Sequence, residues 1–238
     1  DGCMEIRGKG LYGLKDPGQE LFFGNSGTSM RLFMGVLAAQ KFSSTLSGDS
    51  SLNSRPMERV AVPLRKMGAR IEMENDHAPL QIYPSDQIIG TKQRLNVPSA
   101  QVKSAILLAA LYANSKTVLS TSSVTRNHTE LMLESFGCGI RHNEQEIILE
   151  QGELKGINAL TIPGDFSSAS FLILASLIAK DSQIIIKNVG LNPTRIGFLK
   201  ILQMMGGNWP LYTSDAADDT RCVDHGCRRT LKTKKSYT

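Results

Sequence analysis

Three nearly uninterrupted apolar stretches mark the chain, at residues 30–39, 105–113 and 171–179. A small polar segment opens each one: Gly24-Asn-Ser-Gly-Thr-Ser, Pro98-Ser-Ala-Gln-Val-Lys-Ser and Pro163-Gly-Asp-Phe-Ser-Ser-Ala-Ser. A helix that is apolar all round is a buried one, so the pattern predicts three buried helices. An Arg-led amphipathic helix follows each of them. Arg55-Pro-Met-Glu-Arg leads to Met67, Arg126-Asn-His-Thr-Glu leads through residues 131–136, and Arg195-Ile-Gly-Phe leads through residues 199–205. These helices end at Gly68, Gly137 and Gly206, the residue type that best tolerates the left-handed turn after a helix. The three Arg stand 71 and 69 residues apart. Short strands are predicted at 44–47, 71–73, 80–83, 117–120, 146–149, 159–162 and 183–187, and at Ile140 and Trp209 a new strand begins. The chain therefore reads as an α/β repeat of about 70 residues: buried helix, strand, amphipathic helix, strand, strand. Pro63 falls inside the first amphipathic helix and is expected to kink it.

The periodicity has limits at both ends. Residues 1–23 read as the last strands of a unit whose helices are absent. After Trp209 the pattern stops at Pro210, and residues 211–238 show no period and end in a charge cluster. The chain carries a formal charge of +5, of which +2 lies in residues 209–238. The remaining mild excess suits an anionic small molecule better than a nucleic acid. Aromatic residues make up only 6%, too few for base-stacking platforms. The apolar runs are too short to span a bilayer, and no signal peptide is visible. Four Cys do not make a disulfide framework, which points to a reducing, cytoplasmic setting. Cys222, His225 and Cys227 stand close together but fall short of the four ligands of a structural zinc site, so no metal is expected.

The candidate chemistry is that of anion binding. A helix N-terminus offers unpaired N–H groups and partial positive charge, and small residues let an anion approach. Asn25-Ser-Gly-Thr and Ser99-Ala-Gln have that make-up, and neither carries the Lys-Ser/Thr ending of a nucleotide-binding loop. Arg suits two-pronged contact with phosphate or carboxylate. Arg55 and Arg126 are expected to hold an anionic ligand, and Arg195 fits an ion pair. His77, His128 and His142 are scattered, and no Ser/His/Asp or Cys/His arrangement emerges. His128 reads equally as a capping residue. Cys3 and Cys138 read as structural, Asp49 as a turn residue, and Asp165 and Ser167 as a helix cap.

In order along the chain stand Gly24-Asn-Ser-Gly-Thr-Ser-Met-Arg31, Gly48-Asp-Ser-Ser-Leu-Asn-Ser-Arg-Pro-Met57, Pro98-Ser-Ala-Gln-Val-Lys-Ser-Ala105, Thr125-Arg-Asn-His-Thr-Glu130 and Pro163-Gly-Asp-Phe-Ser-Ser-Ala169. Together these resemble the EPSP synthases, the 3-phosphoshikimate 1-carboxyvinyltransferases of aromatic amino-acid and chorismate biosynthesis. The resemblance runs from about Met4 to Trp209. Leu32 after the first motif and Ala100 in the third are similar to the bacterial second class.

The resemblance implies a two-domain enolpyruvyl transferase fold, an inside-out α/β barrel built from repeated βαβαββ units and incomplete here. Residues 1–161 would be most of the first domain, 162–208 the opening of the second, and 209–238 a tail foreign to the fold. It implies a cytoplasmic transferase, monomeric when complete and without cofactor, that moves the enolpyruvyl group of phosphoenolpyruvate to the 5-hydroxyl of shikimate 3-phosphate. By position, Gly27 and Arg55 resemble phosphoenolpyruvate contacts, Ser99 and Ala100 the helix start that holds the shikimate phosphate, Gln101 a residue touching both substrates, and Arg126 a further phosphate ligand. The family's Lys-Ser motif and its acid–base pair have no counterpart in this chain. No catalytic residue is therefore expected here, and the fragment alone is expected to be inactive. Two alternatives are a UDP-N-acetylglucosamine enolpyruvyl transferase, disfavoured by Arg126-Asn-His-Thr-Glu, and a non-catalytic anion-binding module.

Overall fold

The computed structural model describes residues 4–150, 152–207, 211–213 and 229–234. The chain divides into two compact units. The first comprises the described residues up to 125 together with 136–156, and the second comprises residues 126–135 and the described residues from 157 onward.

The first unit contains two sheets laid out on the same plan. Strand β1 (Leu21–Phe22) leads into helix α1 (Gly27–Leu37) and strand β2 (Ser44–Ser47). A short helix α2 (Ser50–Asn53), helix α3 (Glu58–Lys66) and the hairpin β3 (Arg70–Glu74) and β4 (His77–Tyr83) complete that layout. The second pass runs β5 (Lys92–Leu95), α4 (Ala100–Ala110), β6 (Thr117–Thr121), then β7 (Ile140–His142) and β8 (Glu146–Leu149). Its amphipathic helix α5 (His128–Ser135) is grouped with the second unit.

Both sheets share one topology. Their strand orders are β1-β2-β4-β3 and β5-β6-β8-β7. In each, the first two strands are parallel and the other neighbours antiparallel. A parallel pair needs a crossover, and α1 and α4 supply it. These are the helices expected from the apolar runs at 30–39 and 105–113. The polar openings become first turns rather than preceding loops. Ser26 caps α1 by accepting from the Ser29 N–H, and Ser99 caps α4 by accepting from the Val102 N–H at 3.4 Å.

α1 and α4 pack directly on each other. At the crossing the backbones touch: a Cβ on Gly35 would lie 2.1 Å from the Ala105 carbonyl oxygen. Met30, Met34, Ile106 and Leu107 are fully buried around that contact, with Leu46, Leu80, Ile82 and Leu119 beneath them on the sheets. α3 adds Leu64 and Met67.

Three sequence expectations need correction. Residues 4–20 contain no strand, and β1 is the first strand of its unit, paired parallel with β2, not the end of a preceding unit. Pro63 does not end α3, and its carbonyl accepts from Gln93 Nε2 at 3.1 Å. No strand forms at 159–162; the nearest pairing is an isolated parallel bridge between Gly164 and Val189. Residues 211–213 and 229–234 form strands β10 and β11 in a three-stranded antiparallel sheet ordered β10-β11-β9, with β9 at Gln183–Ile186. Thr and Tyr within these short runs favour extended backbone without any longer period to announce it. Cys3, Trp209, Cys222, His225 and Cys227 lie outside the described residues.

The second unit also holds α6 (Phe166–Ile178) and α7 (Gly197–Met204). Phe166, Ala169, Ile173, Val189, Leu191, Leu199 and Leu202 form its core. α6 was expected to be buried all round. It buries one face only, and Phe171 and Ile178 remain 77% and 76% exposed.

The helix crossing generates a prediction. Gly35→Ala forces a carbon against backbone that cannot rotate away, so it should destabilise the fold by about 1–3 kcal/mol, the usual cost of overpacking. Urea denaturation followed by circular dichroism measures it. An unchanged midpoint would mean that α1 and α4 do not approach this closely.

Candidate anion-binding site

Three sequence motifs of the first unit meet where α1 begins. The α1–α4 crossing brings Gln101, in the first turn of α4, beside Thr28, in the first turn of α1. Gln101 Nε2 donates to Thr28 Oγ1 at 2.8 Å. Gln101 Oε1 accepts from Arg31 Nη1 at 2.6 Å. Arg31 lies one helical turn beyond Gly27–Thr28, and its Nη2 donates to the Pro56 carbonyl at 3.3 Å. Arg55, between α2 and α3, donates through Nη2 to Asn25 Oδ1 at 2.5 Å and to Ser51 Oγ at 3.4 Å.

Gly27 sits at the centre. Its N–H is donated to the Asn25 carbonyl, so its special contribution is the missing side chain. A Cβ there would lie 3.2 Å from Arg55 Nη1, 3.4 Å from Arg31 Nη1 and 3.3 Å from Leu52 Cδ1. Two guanidinium groups thus converge on one backbone position because that position carries no carbon.

The electrostatics are those of excess positive charge. Arg31 is buried, and burial together with the charges of Arg59 and Arg55 lowers its pKa. It stays protonated at neutral pH, as guanidinium does in proteins. The nearest carboxylate is held one step back. Asp49 caps α2 by accepting from the Leu52 N–H at 2.7 Å, and accepts from Asn25 Nδ2 at 2.7 Å. The Asn25 hydrogen bond, then the Leu52 N–H and, more weakly, the Arg55 charge hold the Asp49 carboxyl below the usual carboxylate range. Neutral Asn25 stands between the acid and Arg55.

The second unit shows the contrasting arrangement. Arg195 faces Asp165 directly at 3.4 Å and also donates to Ser167 Oγ. The Ser167 N–H and the Arg195 charge hold Asp165 low. The expected ion pair of Arg195 is present, and Asp165 caps α6 as expected. A cavity of about 270 Å³ lies beside it, lined by His128, Met132, Phe166, Asn192 and Arg195 among others.

Gly27, Arg55 and Gln101 are therefore brought together within one unit, and Ser99 and Ala100 adjoin them as the cap and first residue of α4. Arg126 is an exposed residue of the second unit, just before α5. Sequence reasoning passed over Arg31 and Thr28. Both were legible as residues one and four positions on from Gly27 on the same helix, yet only the crossing with α4 shows which face they share. Cys138 is buried, which pushes its thiol up and makes it a poor nucleophile, as its structural reading required. Among the described residues no cluster of His, Cys, Asp and Glu could hold a metal ion.

Asp49 generates a pH prediction. A carboxyl depressed in the folded state stabilises fully above its unfolded pKa of about 3.9, and loses that contribution as pH falls through the folded value. Wild type should therefore melt above Asp49→Asn by a constant margin from pH 7 to about pH 5. The margin should shrink below about pH 4. A margin that persists undiminished at pH 2 would show that ionised Asp49 is not what Asn25 and Leu52 hold.

Comparison with known proteins identifies the family. The family model EPSP synthase (3-phosphoshikimate 1-carboxyvinyltransferase) matches residues 3–233, reaching into the segment that the periodic pattern had placed outside the fold. A 3-phosphoshikimate 1-carboxyvinyltransferase of Streptococcus uberis is 48% identical over 221 residues, covering 92% of this chain and 52% of the relative. One from Ruthia magnifica is 49% identical over 208 residues, covering 87% of this chain and 48% of its own length. The solved structure of EPSP synthase from Acinetobacter baumannii superposes with a TM-score of 0.84 at 41% identity, over 97% of this chain and 51% of that one. The chain spans about half the length of the curated relatives it matches. With two four-stranded sheets of one topology in its first unit and a family model matching residues 3–233, the chain belongs to the EPSP synthase family.

Proposed function

We propose that this chain contributes the phosphoenolpyruvate-binding half of an enzyme that transfers the enolpyruvyl group to the 5-hydroxyl of shikimate 3-phosphate, releasing phosphate. The observation that carries the reading is the convergence of Arg55 and Arg31 on Gly27, with Gln101 closing the same junction. Every group there that could reach a ligand through a guanidinium donates, and the acid behind Arg55 is screened by Asn25. Such an array suits a ligand that carries both a carboxylate and a phosphate.

In the transfer, the methylene of phosphoenolpyruvate takes a proton, its C2 becomes electrophilic, and the 5-hydroxyl of shikimate 3-phosphate attacks and loses its proton. Phosphate then leaves the tetrahedral intermediate as its methyl group gives up a proton, which restores the carbon–carbon double bond. The part we assign to this chain is electrostatic. Arg55 grips the phosphoenolpyruvate anion, and the gap at Gly27 lets the ligand lie against the start of α1. Gln101 spans the two substrates, and Ser99 and Ala100 at the start of α4 take the shikimate phosphate. No proton-transfer step is assigned to a residue of this chain. That its relatives are 3-phosphoshikimate 1-carboxyvinyltransferases supports this reading over transfer to UDP-N-acetylglucosamine. We further infer a monomeric enzyme of the cytoplasm; among the described residues no helix is long and apolar enough to cross a membrane. We retain residues 1–161 and 162–208 as domain assignments and propose that the segment from 209 adds nothing to ligand binding.

Calorimetric titration tests the binding. Phosphoenolpyruvate should bind this chain, and Arg55→Ala should weaken it about tenfold to a hundredfold, the worth of one charge-assisted contact. Arg126→Ala should chiefly weaken shikimate 3-phosphate. A hybrid in which this chain replaces the matching half of the Streptococcus uberis relative tests the chemistry. It should release phosphate from phosphoenolpyruvate only when shikimate 3-phosphate is present. Binding without release in the hybrid would favour a non-catalytic module.

A further inference from the structure

We propose that Arg31 is a positioning residue that fixes the Gln101 carboxamide with its N–H2, and not its oxygen, turned to the start of α1. A carboxamide is nearly symmetric in shape, and its neighbours decide which end donates. Guanidinium carries donors only. Arg31 Nη1 lies 2.6 Å from one end of the Gln101 amide, so that end must be the oxygen. The N–H2 is then left facing Thr28 Oγ1 at 2.8 Å. A flipped amide would set N–H2 against the Arg31 donors and offer the junction an acceptor.

The cost of Arg31 argues that it has such a task. Only 7% of it is exposed, and its Nε is buried with no hydrogen-bond partner. The charges of Arg55 and Arg59 both oppose its own. Holding the loop between α2 and α3 through the Pro56 carbonyl would need one donor and no charge. Among charged side chains, only Arg and Lys can never offer the Gln101 amide an acceptor. The consequence for an anion rests on the function proposed above: with Arg31 in place the junction presents a donor at Gln101, and without it nothing holds the amide to Thr28 or keeps its oxygen turned away from the ligand.

Nuclear magnetic resonance of the ¹⁵N-labelled chain tests the orientation without any ligand. The Gln101 side-chain amide pair is assigned by its loss in Gln101→Met. In wild type these protons should show a nuclear Overhauser contact to the Thr28 side chain. Arg31→Met should abolish that contact and move the pair toward the position of free glutamine, while Arg31→Lys should preserve both. A contact that survives in Arg31→Met overturns the proposal. So does its absence in wild type, a result that needs no variant to fold. Phosphoenolpyruvate titration adds a double-mutant cycle. Arg31→Met should weaken binding about tenfold in wild type and less than about twofold in a Gln101→Met background. Equal losses in both backgrounds would mean that Arg31 acts on the ligand as a bare charge, and would overturn the positioning role. If wild type does not bind phosphoenolpyruvate at all, the functional reading fails, and the ligand-free spectra still decide the role of Arg31.

Discussion

Gly35 lies so close to the Ala105 carbonyl that one added carbon would overlap it, and the site depends on that approach. Gln101 and Thr28 are 73 residues apart in sequence, yet their side chains meet at 2.8 Å. They meet because α1 and α4, the crossover helices of two successive sheets, pack backbone to backbone further along, at Gly35 and Ala105. Separating the helices by the width of a methyl group would break the Gln101 contacts to both Thr28 and Arg31. The apolar character of both helices serves this crossing. Met30, Met34, Ile106 and Leu107 remove enough surface from water to hold polar first turns in fixed register.

Charge is organised by what stands next to each Arg. Arg55 and Arg195 occupy corresponding places in the repeat, each before an amphipathic helix and each beside the start of an apolar one. Arg195 meets the carboxylate of Asp165, whereas Arg55 meets the amide of Asn25. An ion pair satisfies a guanidinium's charge, while an amide oxygen satisfies only its hydrogen bond. The single change from Asn to Asp at the helix start separates an Arg able to attract an anion from one already neutralised. Asp49 completes the logic, because its negative charge orients Asn25 without reaching Arg55 by hydrogen bond.

The sequence made the repeat legible because its buried helices are long and its Arg-Gly spacing regular. The three small polar starts and the three apolar runs correspond to α1, α4 and α6. β5 was illegible for a physical reason. Lys92-Gln-Arg-Leu alternates exposed and buried positions, but one inward position is Gln93, whose buried amide serves Pro63 and Thr91 instead of packing as a hydrophobe. β1 has only two residues, too few for any period. For the site, Gly27, Arg55 and Gln101 could be named from motifs, but Arg31 could not. A buried Arg in an apolar helix reads as an anomaly until the residue opposite it is known.

Arg31 also explains why the junction remains polar inside a hydrophobic crossing. A helix pair packed this tightly would be more stable with an aliphatic residue at that place, because burying a charge is costly. Replacing Arg31 by Leu would leave the Gln101 oxygen without its strongest donor and free the amide to turn. The fold tolerates the expensive residue because its charge acts in two directions. It holds one amide in one orientation, and it adds to the field of Arg55 and Arg59 at the point where Gly27 leaves room for a ligand. Helix packing sets the distance, and the buried guanidinium sets the polarity; neither alone would turn two ordinary helix starts into a junction that selects an anion.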